Sequence, residues 1–423
     1  MRAVKRIFAL ARSRAAGAAV AQIWQAFGSF GLQIVAAWTL GAQGLGLISM
    51  SLGVIVLTTA LASGMIGDSL VILDRANPAT RGALQAWALV LGALTALVAG
   101  TAMGVTVLTP LQAVLFAGAL VAFQFEELIR RVFMGVMQFW RLVALDSVAV
   151  ITALAIIGVA AATHAVTVEA FFAALLVGQV AGIVVGVLLL PATERVWVGM
   201  RGSDLRRVVV FGAWRGAQVA VPQLMLTVSR VLVTAFAGGA ALGLIEGARI
   251  FVAPVLLTVQ GLGSYLLSSY VRDSKLGVPA LHRRAWRASL TMMACALLAG
   301  TVIVIAVPYL SHLVSGSTFD IERLTVAGWV VYVMASASFQ PFASLAAVRG
   351  GQRRVFFCRI TDAGFAVALL TSLLALGVSP AWTPVVLAAG LFVGGTLVRH
   401  FVLAPLSRTA THASTSELRM SNA

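Results

Sequence analysis

Long apolar runs separated by short polar connections set the pattern of this chain. A helix that crosses lipid needs about 20 largely apolar residues. Read with that window, the sequence predicts twelve spans, starting near residues 17, 45, 83, 111, 142, 170, 208, 242, 288, 323, 355 and 383. The runs are continuous and do not alternate, which predicts helices and not a β-barrel. Composition agrees with the pattern. Of 423 residues, 60% are hydrophobic and 10% charged, with a mean hydropathy of +1.00; soluble domains carry about 25% charged residues. Over this length only lipid can hide the apolar excess, so the expected fold class is an all-α polytopic membrane protein.

The charges sort by connection. Arg2, Lys5, Arg6, Arg12 and Arg14 precede the first span. The even-numbered connections continue with Arg75 and Arg81; Arg130, Arg131 and Arg141; Arg195, Arg201, Arg206 and Arg207; Arg272, Lys275, Arg283, Arg284 and Arg287; Arg349, Arg353 and Arg354. The odd-numbered ones, such as "GAQG", "TP" and "GGAA", carry almost none, Arg323 excepted. By the positive-inside rule both termini are cytoplasmic; only two of the 30 basic residues are lysine and Ala, Gly and Val abound, a bacterial bias that makes a bacterial inner membrane the expected location. The same rule accounts for the net charge of +16 without nucleic acid as a partner. The basic N-terminus leads into an apolar stretch too long for a signal-peptide core, which predicts a retained first helix. Cys295 and Cys358 lie in apolar spans and offer neither a disulfide framework nor a metal site.

The chain also repeats. The second span opens "LGLISMSLGVIVL" at Leu45 and the eighth "LGLIEGARIFVAP" at Leu242, 197 residues later. Arg75 falls on Arg272 at the same offset, and Phe123, Gln124 and Asp146 recur at identical spacing as Phe339, Gln340 and Asp362. Six helices per half give both halves the same orientation, so the repeat is parallel. The expected organisation is a six-helix bundle over 1–195, a second over 196–405 and a polar cytoplasmic tail over 406–423. Transporters built this way bind substrate between their halves.

Charge inside the spans marks candidate chemistry, because an unpaired ion there is costly. Arg230 and Arg249 flank the "GGAA" turn at similar separations, and Glu246 shares a helix face with Arg249. Two readings stay open: a buried pair that locks two helices together, or a cavity-lining cation held in place by the glutamate. Arg215 and Arg359 lie near span ends, where snorkelling suffices. Gln22, Gln25 and Gln33 line the first span, suited to sugar hydroxyls or to tying helices together, and Gln340 is the repeat partner of Gln124. In "FQFEELIRRVFMG", Glu126 with Arg130 and Glu127 with Arg131 form favourable i,i+4 pairs, read as a salt-bridged helix end or a gate. Asp146 and Asp362 occupy repeat-related sites, with Arg359 one turn before Asp362 and expected to pair with it. Asp68 is expected at an interface. Pro222 and Pro254 are expected to kink or break their helices.

The glycine-rich stretches "TLGAQGLGLISMSLGVIVL" and "SRVLVTAFAGGAALGLIEGARIFVAP" give the chain a family likeness. It resembles the polysaccharide flippases of the multidrug/oligosaccharidyl-lipid/polysaccharide (MOP) exporter superfamily over nearly its whole length. Such flippases often carry an acidic-basic pair late in helix 7 and an aromatic residue early in helix 8. Here Ser229 stands at the acidic position, Arg230 matches the base, Glu246 replaces the aromatic residue and Arg249 matches a basic one. The resemblance implies a V-shaped, two-bundle exporter. It would move a lipid-linked oligosaccharide on polyprenyl pyrophosphate to the outer leaflet, alongside polysaccharide polymerase and glycosyltransferase machinery. It implies no enzyme activity, no cofactor and no metal. The rival readings are a MOP-type ion-coupled small-molecule or drug exporter, a lipid II flippase and a membrane glycan polymerase or ligase. The first would need central carboxylates, absent from Gly17 to Trp38 and from Val208 to Phe236. A lipid II flippase usually has two additional helices, and a polymerase or ligase needs a larger outer domain than the stretch from Tyr309 to Glu322.

Overall fold

The structure, a computed structural model, describes residues 14–67, 69–70, 77–195, 198–199, 202–273, 276–316, 318–349 and 352–406. Its elements are α1 (Arg14–Ala62), α2 (Pro78–Thr106), α3 (Pro110–Gly135), α4 (Phe139–Ala162), α5 (Val168–Leu189), α6 (Leu205–Arg272), α7 (Val278–Ser315), α8 (Arg323–Arg349), α9 (Gln352–Ala375) and α10 (Thr383–Leu397). No strand occurs among the described residues. Among the described residues, ten helical stretches are long and apolar enough to cross a membrane, the last of them Pro380–Leu406, which takes in α10 and its flanking turns. Two of them are double: the apolar stretches Phe27–Gly67 in α1 and Gly216–Gly263 in α6 run for 41 and 48 residues. Each holds two spans of about 20 residues, which restores the twelve expected from the sequence. The chain is a multi-pass membrane protein.

Each double helix turns at one glycine. Gly41 has φ 66° and ψ −167°, and Gly238 has φ 85° and ψ 167°. That region of backbone space is essentially closed to residues with a Cβ. The two glycines are 197 residues apart, the offset read from the repeat. Their turns also touch. A Cβ on Gly46 would collide with the backbone of Gly239 and Gly243, and one on Gly243 with the backbone of Ala42. The contact is reciprocal, as a pseudo-twofold relation between repeat-related turns requires.

The prolines behave differently. Pro222 and Pro254, expected to kink or break their spans, leave α6 helical, and its non-helical backbone lies at Gly238. Within lipid the backbone groups that a proline frees are re-satisfied locally.

Packing divides the chain into two compact units, one formed by residues up to Leu40 with Leu47–Thr227, the other by Gly41–Gly46 with residues from Val228 onward. The division falls inside α6. Its first part is held in the first unit by the Thr227 hydroxyl, which donates to the Gly53 carbonyl at 3.0 Å, and by Gly216, which packs on Leu61 of α1 and on Met65 in the π turn Ser63–Gly67 that follows it. In that unit Ala62, Met65, Ile66, Leu84 and Val208 form one core cluster, and Phe133, Leu142, Leu145 and Leu190 another.

Small residues set the closest helix approaches in both units. Gly178 and Gly182 of α5 lie on Ala149, Ala153 and Leu145 of α4. Gly390 and Gly394 of α10 lie on Ala366 and Asp362 of α9 in the same way. In lipid, where apolar side chains gain little by leaving the solvent, such close backbone contact drives association. Large apolar side chains point outward instead; Val105, Leu298 and Tyr309 are each at least 70% exposed.

Candidate functional site

The second unit holds a buried charge cluster built by the turn at Gly238. Arg230 and Glu246 each stand eight residues from that glycine, so the reversal places them side by side. The Arg230 Nε donates to Glu246 Oε1 at 2.8 Å, and its Nη2 lies 3.4 Å from Oε2. The Arg249 Nε donates to Oε2 at 2.7 Å. Glu246 is 3% exposed and Arg230 9%, while the Arg249 side chain retains 22%. One carboxylate therefore bridges two guanidiniums, and the cluster carries one surplus positive charge. The glutamate serves both arginines at once, and Arg249 is the more open of the two.

Helix α8 backs this cluster. The buried Trp329 indole donates to the Ile245 carbonyl at 2.9 Å, beside Glu246, and meets Tyr332 edge-on with ring centroids 5.3 Å apart. The Tyr332 hydroxyl lies within electrostatic reach of Arg230, Arg249, Arg359 and Asp362. The sequence reading passed over both aromatics, since an aromatic residue in an apolar span carries no periodic signal of its own. The available hint was chemical: a buried indole needs an acceptor.

The remaining candidates are spread more widely. Arg359 donates to Asp362 at 3.1 Å, and its guanidinium lies 4.5 Å over the Phe339 ring. Asp362 is wedged against Gly394, whose added Cβ would strike its carboxylate. Gln340 is half-buried and packs on Gly263 of α6. Gln33 is buried and donates to the Ser29 hydroxyl at 3.4 Å. The side chains of Gln22, Gln25 and Arg215, and all of Asp68, lie outside the described residues.

In the first unit a second cluster joins α3, α4 and the π turn that follows α1. Arg130 Nη1 donates to Asp146 Oδ1 at 2.6 Å, with both side chains 4% exposed, and Arg130 Nε lies 3.2 Å from Glu127. Arg131 donates to Glu127 at 2.8 Å, and the Ser63 hydroxyl donates to the same carboxylate oxygen at 3.2 Å. Glu126, 6% exposed, lies against Gly182 of α5. Arg130 thus reaches across to α4 and back one turn, where simple i,i+4 spacing paired it with Glu126. Residue spacing cannot register Asp146, which the tertiary fold brings in from another helix. Among the described residues no His, Cys, Asp or Glu group is arranged to hold a metal ion.

No family model matches the chain, and no curated protein matches it by sequence. Solved structures match it by fold. An inward-facing multidrug resistance MATE family transporter of the MOP superfamily aligns over 91% of this chain and 96% of its own, with a TM-score of 0.69 and 14% identity. The lipid II flippase MurJ, in an inward closed conformation, aligns over 90% of this chain and 86% of its own, with a TM-score of 0.73 and 10% identity. A MOP superfamily transporter from Pyrococcus furiosus, described by the reverse polarity of its binding pocket, aligns over 93% and 96%, with a TM-score of 0.63 and 13% identity. At such identities the likeness is one of architecture: the chain has the all-helical fold of the MOP superfamily transporters.

Proposed function

We propose that this protein is a flippase. It moves a lipid-linked oligosaccharide, carried on polyprenyl pyrophosphate, from the cytoplasmic to the outer leaflet of a bacterial inner membrane by alternating access between two six-helix halves. The observation that carries the reading is the charge balance of the Arg230–Glu246–Arg249 cluster, one carboxylate between two guanidiniums. A diphosphate headgroup needs a cation that stays charged inside the membrane and meets phosphate oxygens along a planar fork. Glu246 fixes both arginines, Arg230 through Nε and Nη2 and Arg249 through Nε, and the Arg249 side chain keeps 22% of its surface exposed to a ligand. Flipping breaks no covalent bond, so reversible binding is sufficient and no catalytic group is required. The glycan supplied to such a flippase comes from glycosyltransferases and passes to a polymerase, which are the partners this reading implies.

A second reading, export of a small molecule or drug, draws on the multidrug MATE transporters among the structural matches. A cationic drug and its competing ion would favour carboxylates in the first and seventh spans, and Gly17 to Trp38 and Val208 to Phe236 contain none. Reconstituted vesicles carrying a fluorescent polyprenyl-pyrophosphate oligosaccharide separate the two. The wild type is expected to flip the labelled lipid, and an Arg230→Gln, Arg249→Gln double variant to flip it at least about tenfold more slowly, since a hydrogen bond to a charged group is worth roughly 1.5–3 kcal/mol. A double variant that inserts normally and flips at the wild-type rate overturns the cavity role. Efflux of cationic dyes with no lipid flipping would establish the second reading.

A further inference from the structure

A cation that the spacing argument passed over sits at the opposite end of the second unit from Gly238. Helix α10 ends in a π turn, Val398–Leu403, and Arg399 projects from it. Such turns widen the helix and re-aim a side chain, and they recur at functional sites. The Arg399 guanidinium carbon lies 4.0 Å from the centroid of Phe342 and 4.7 Å from that of Trp286. Those rings meet edge-on at 5.5 Å. Nη2 donates to the Ser338 hydroxyl at 3.0 Å, and the Ser338 carbonyl also accepts the Ser289 hydroxyl at 3.1 Å. The His282 ring lies 5.6 Å from Phe342. Arg399 Nε and His282 Nδ1 are both buried and make no hydrogen bond among the described residues.

Two features separate Arg399 from the other buried arginines. Arg130, Arg230, Arg249 and Arg359 each have a carboxylate within 3.2 Å, whereas Arg399 makes no salt bridge among the described residues. It is also held stiffly, between two rings and on a serine that is itself fixed. A cation at a helix end that served only solubility would snorkel outward and remain mobile. Depth adds a third point. Arg399, Phe342 and His282 stand seven, seven and four residues from the nearby ends of their helices at Leu406, Arg349 and Val278. At 1.5 Å per residue that is roughly 6–11 Å inside, the level of lipid phosphates and glycerol esters, where a half-exposed tryptophan such as Trp286 also belongs. Arg283 and Arg287, exposed on the first turns of α7, add positive potential at the same end.

We infer that Arg399, clamped by Phe342 and Trp286 and anchored on Ser338, is a binding site for the phosphate headgroup of an amphiphile in the adjoining leaflet. The rigid guanidinium supplies the planar donor edge, His282 a second polar atom beside it, and Trp286 an apolar wall for the lipid backbone. The lipid is either a bilayer phospholipid or the pyrophosphate carrier before transport. The site does not rest on the flippase reading, because the phospholipid case stands without it.

Native mass spectrometry of the full chain in detergent tests the assignment, with phosphatidylglycerol, a polyprenyl pyrophosphate and phosphatidylcholine titrated in turn. The wild type is expected to hold an anionic lipid about tenfold more tightly than phosphatidylcholine, and Arg399→Gln to abolish that preference. Arg399→Lys, which keeps the charge and loses the stacked fork, is expected to fall between them. Arg284→Gln, whose arginine pairs with Asp273 at the same end, is expected to bind as the wild type. Retention of phosphatidylglycerol assigns the site to bilayer phospholipid; retention of the pyrophosphate carrier alone assigns it to the transported lipid. An Arg399→Gln variant that keeps the preference overturns the proposal, as does a wild type that has none. If Arg399→Gln fails to fold, Ser338→Ala carries the test with Arg399→Lys: unchanged lipid preference in both refutes the site. Neither arm measures flipping, so its outcome is independent of the Arg230 and Arg249 experiment.

Discussion

At Gly41 and Gly238, 197 residues apart, the backbone takes the same step; about two helical turns further on, the two halves part company. Ser49 and Leu52 stand in one copy where Glu246 and Arg249 stand in the other. The shared step is backbone geometry, which fixes where a double helix reverses and how closely the two turns approach. The difference is electrostatic. The cluster of the second unit sets two arginines on one glutamate. That of the first unit sets Arg130 and Arg131 among Glu127, Asp146 and the neighbouring Glu126. A duplicated framework needs its glycine turns in both copies. It does not need a buried cluster in which arginines outnumber carboxylates, and such charge is expensive to keep. The asymmetry therefore points to function, and the surplus cation of the second unit points to an anionic ligand.

The sharpest way to break that contrast is at Glu246. Glu246→Gln takes away the carboxylate that holds both the buried Arg230 and the partly exposed Arg249, and removing one partner of a buried pair costs about 3–5 kcal/mol. Thermal unfolding of the purified protein in detergent is expected to register this as the largest loss of any single charge change. Arg249→Gln, by contrast, leaves a matched Arg230–Glu246 pair and is expected to unfold within about 1 kcal/mol of the wild type while impairing transport. Equal destabilisation by the two variants would mean that the three charges act as one structural lock, and the argument from surplus charge would fall.

How much of this was legible beforehand depends on the range of the interaction concerned. Spans follow from runs of about 20 residues, so the twelve-span pattern could be read directly, although the chain folds two pairs of spans into the continuous α1 and α6. The repeat was legible because Leu45 and Leu242 preserve it letter by letter, and its turn glycines then proved to share one backbone conformation. Local pairs at i,i+3 were also within reach, as Arg359 with Asp362 and Arg249 with Glu246 illustrate. Pairing across helices was not. Nothing in the residue order ties Arg130 to Asp146 on α4, or the Trp329 indole to the carbonyl beside Glu246. Arg399 escaped notice for a related reason: its partners are aromatic rings from α7 and α8, and no charge pattern announces them.

The shared part of the comparison can be tested at the glycines. Around Gly41 and Gly238 nothing lies within 4 Å of an added Cβ, so Ala fits in space and the penalty is conformational alone. Residues forced into that region cost about 1–3 kcal/mol each. Gly41→Ala and Gly238→Ala are accordingly expected to lower the unfolding temperature by similar amounts. A large loss from one and none from the other would show that the two turns are not equivalent.

The smallest expected effect concerns a prop found in one half only. Counting back 216 residues, the spacing of Phe339 from Phe123, Trp329 falls on Ala113, which has no side-chain donor. The indole hydrogen bond to Ile245 is therefore an addition of the second unit, placed where the charge cluster needs its helix held in register. Trp329→Phe keeps an aromatic ring in the core and removes the donor, leaving the Ile245 carbonyl without its indole partner. Losing such a bond costs about 0.5–1.5 kcal/mol. If the prop exists to position Glu246, the variant is expected to slow lipid flipping by more than this loss of stability explains, while leaving the Arg399 lipid preference untouched. A variant that loses stability yet flips at the wild-type rate would reduce Trp329 to packing and detach α8 from the site.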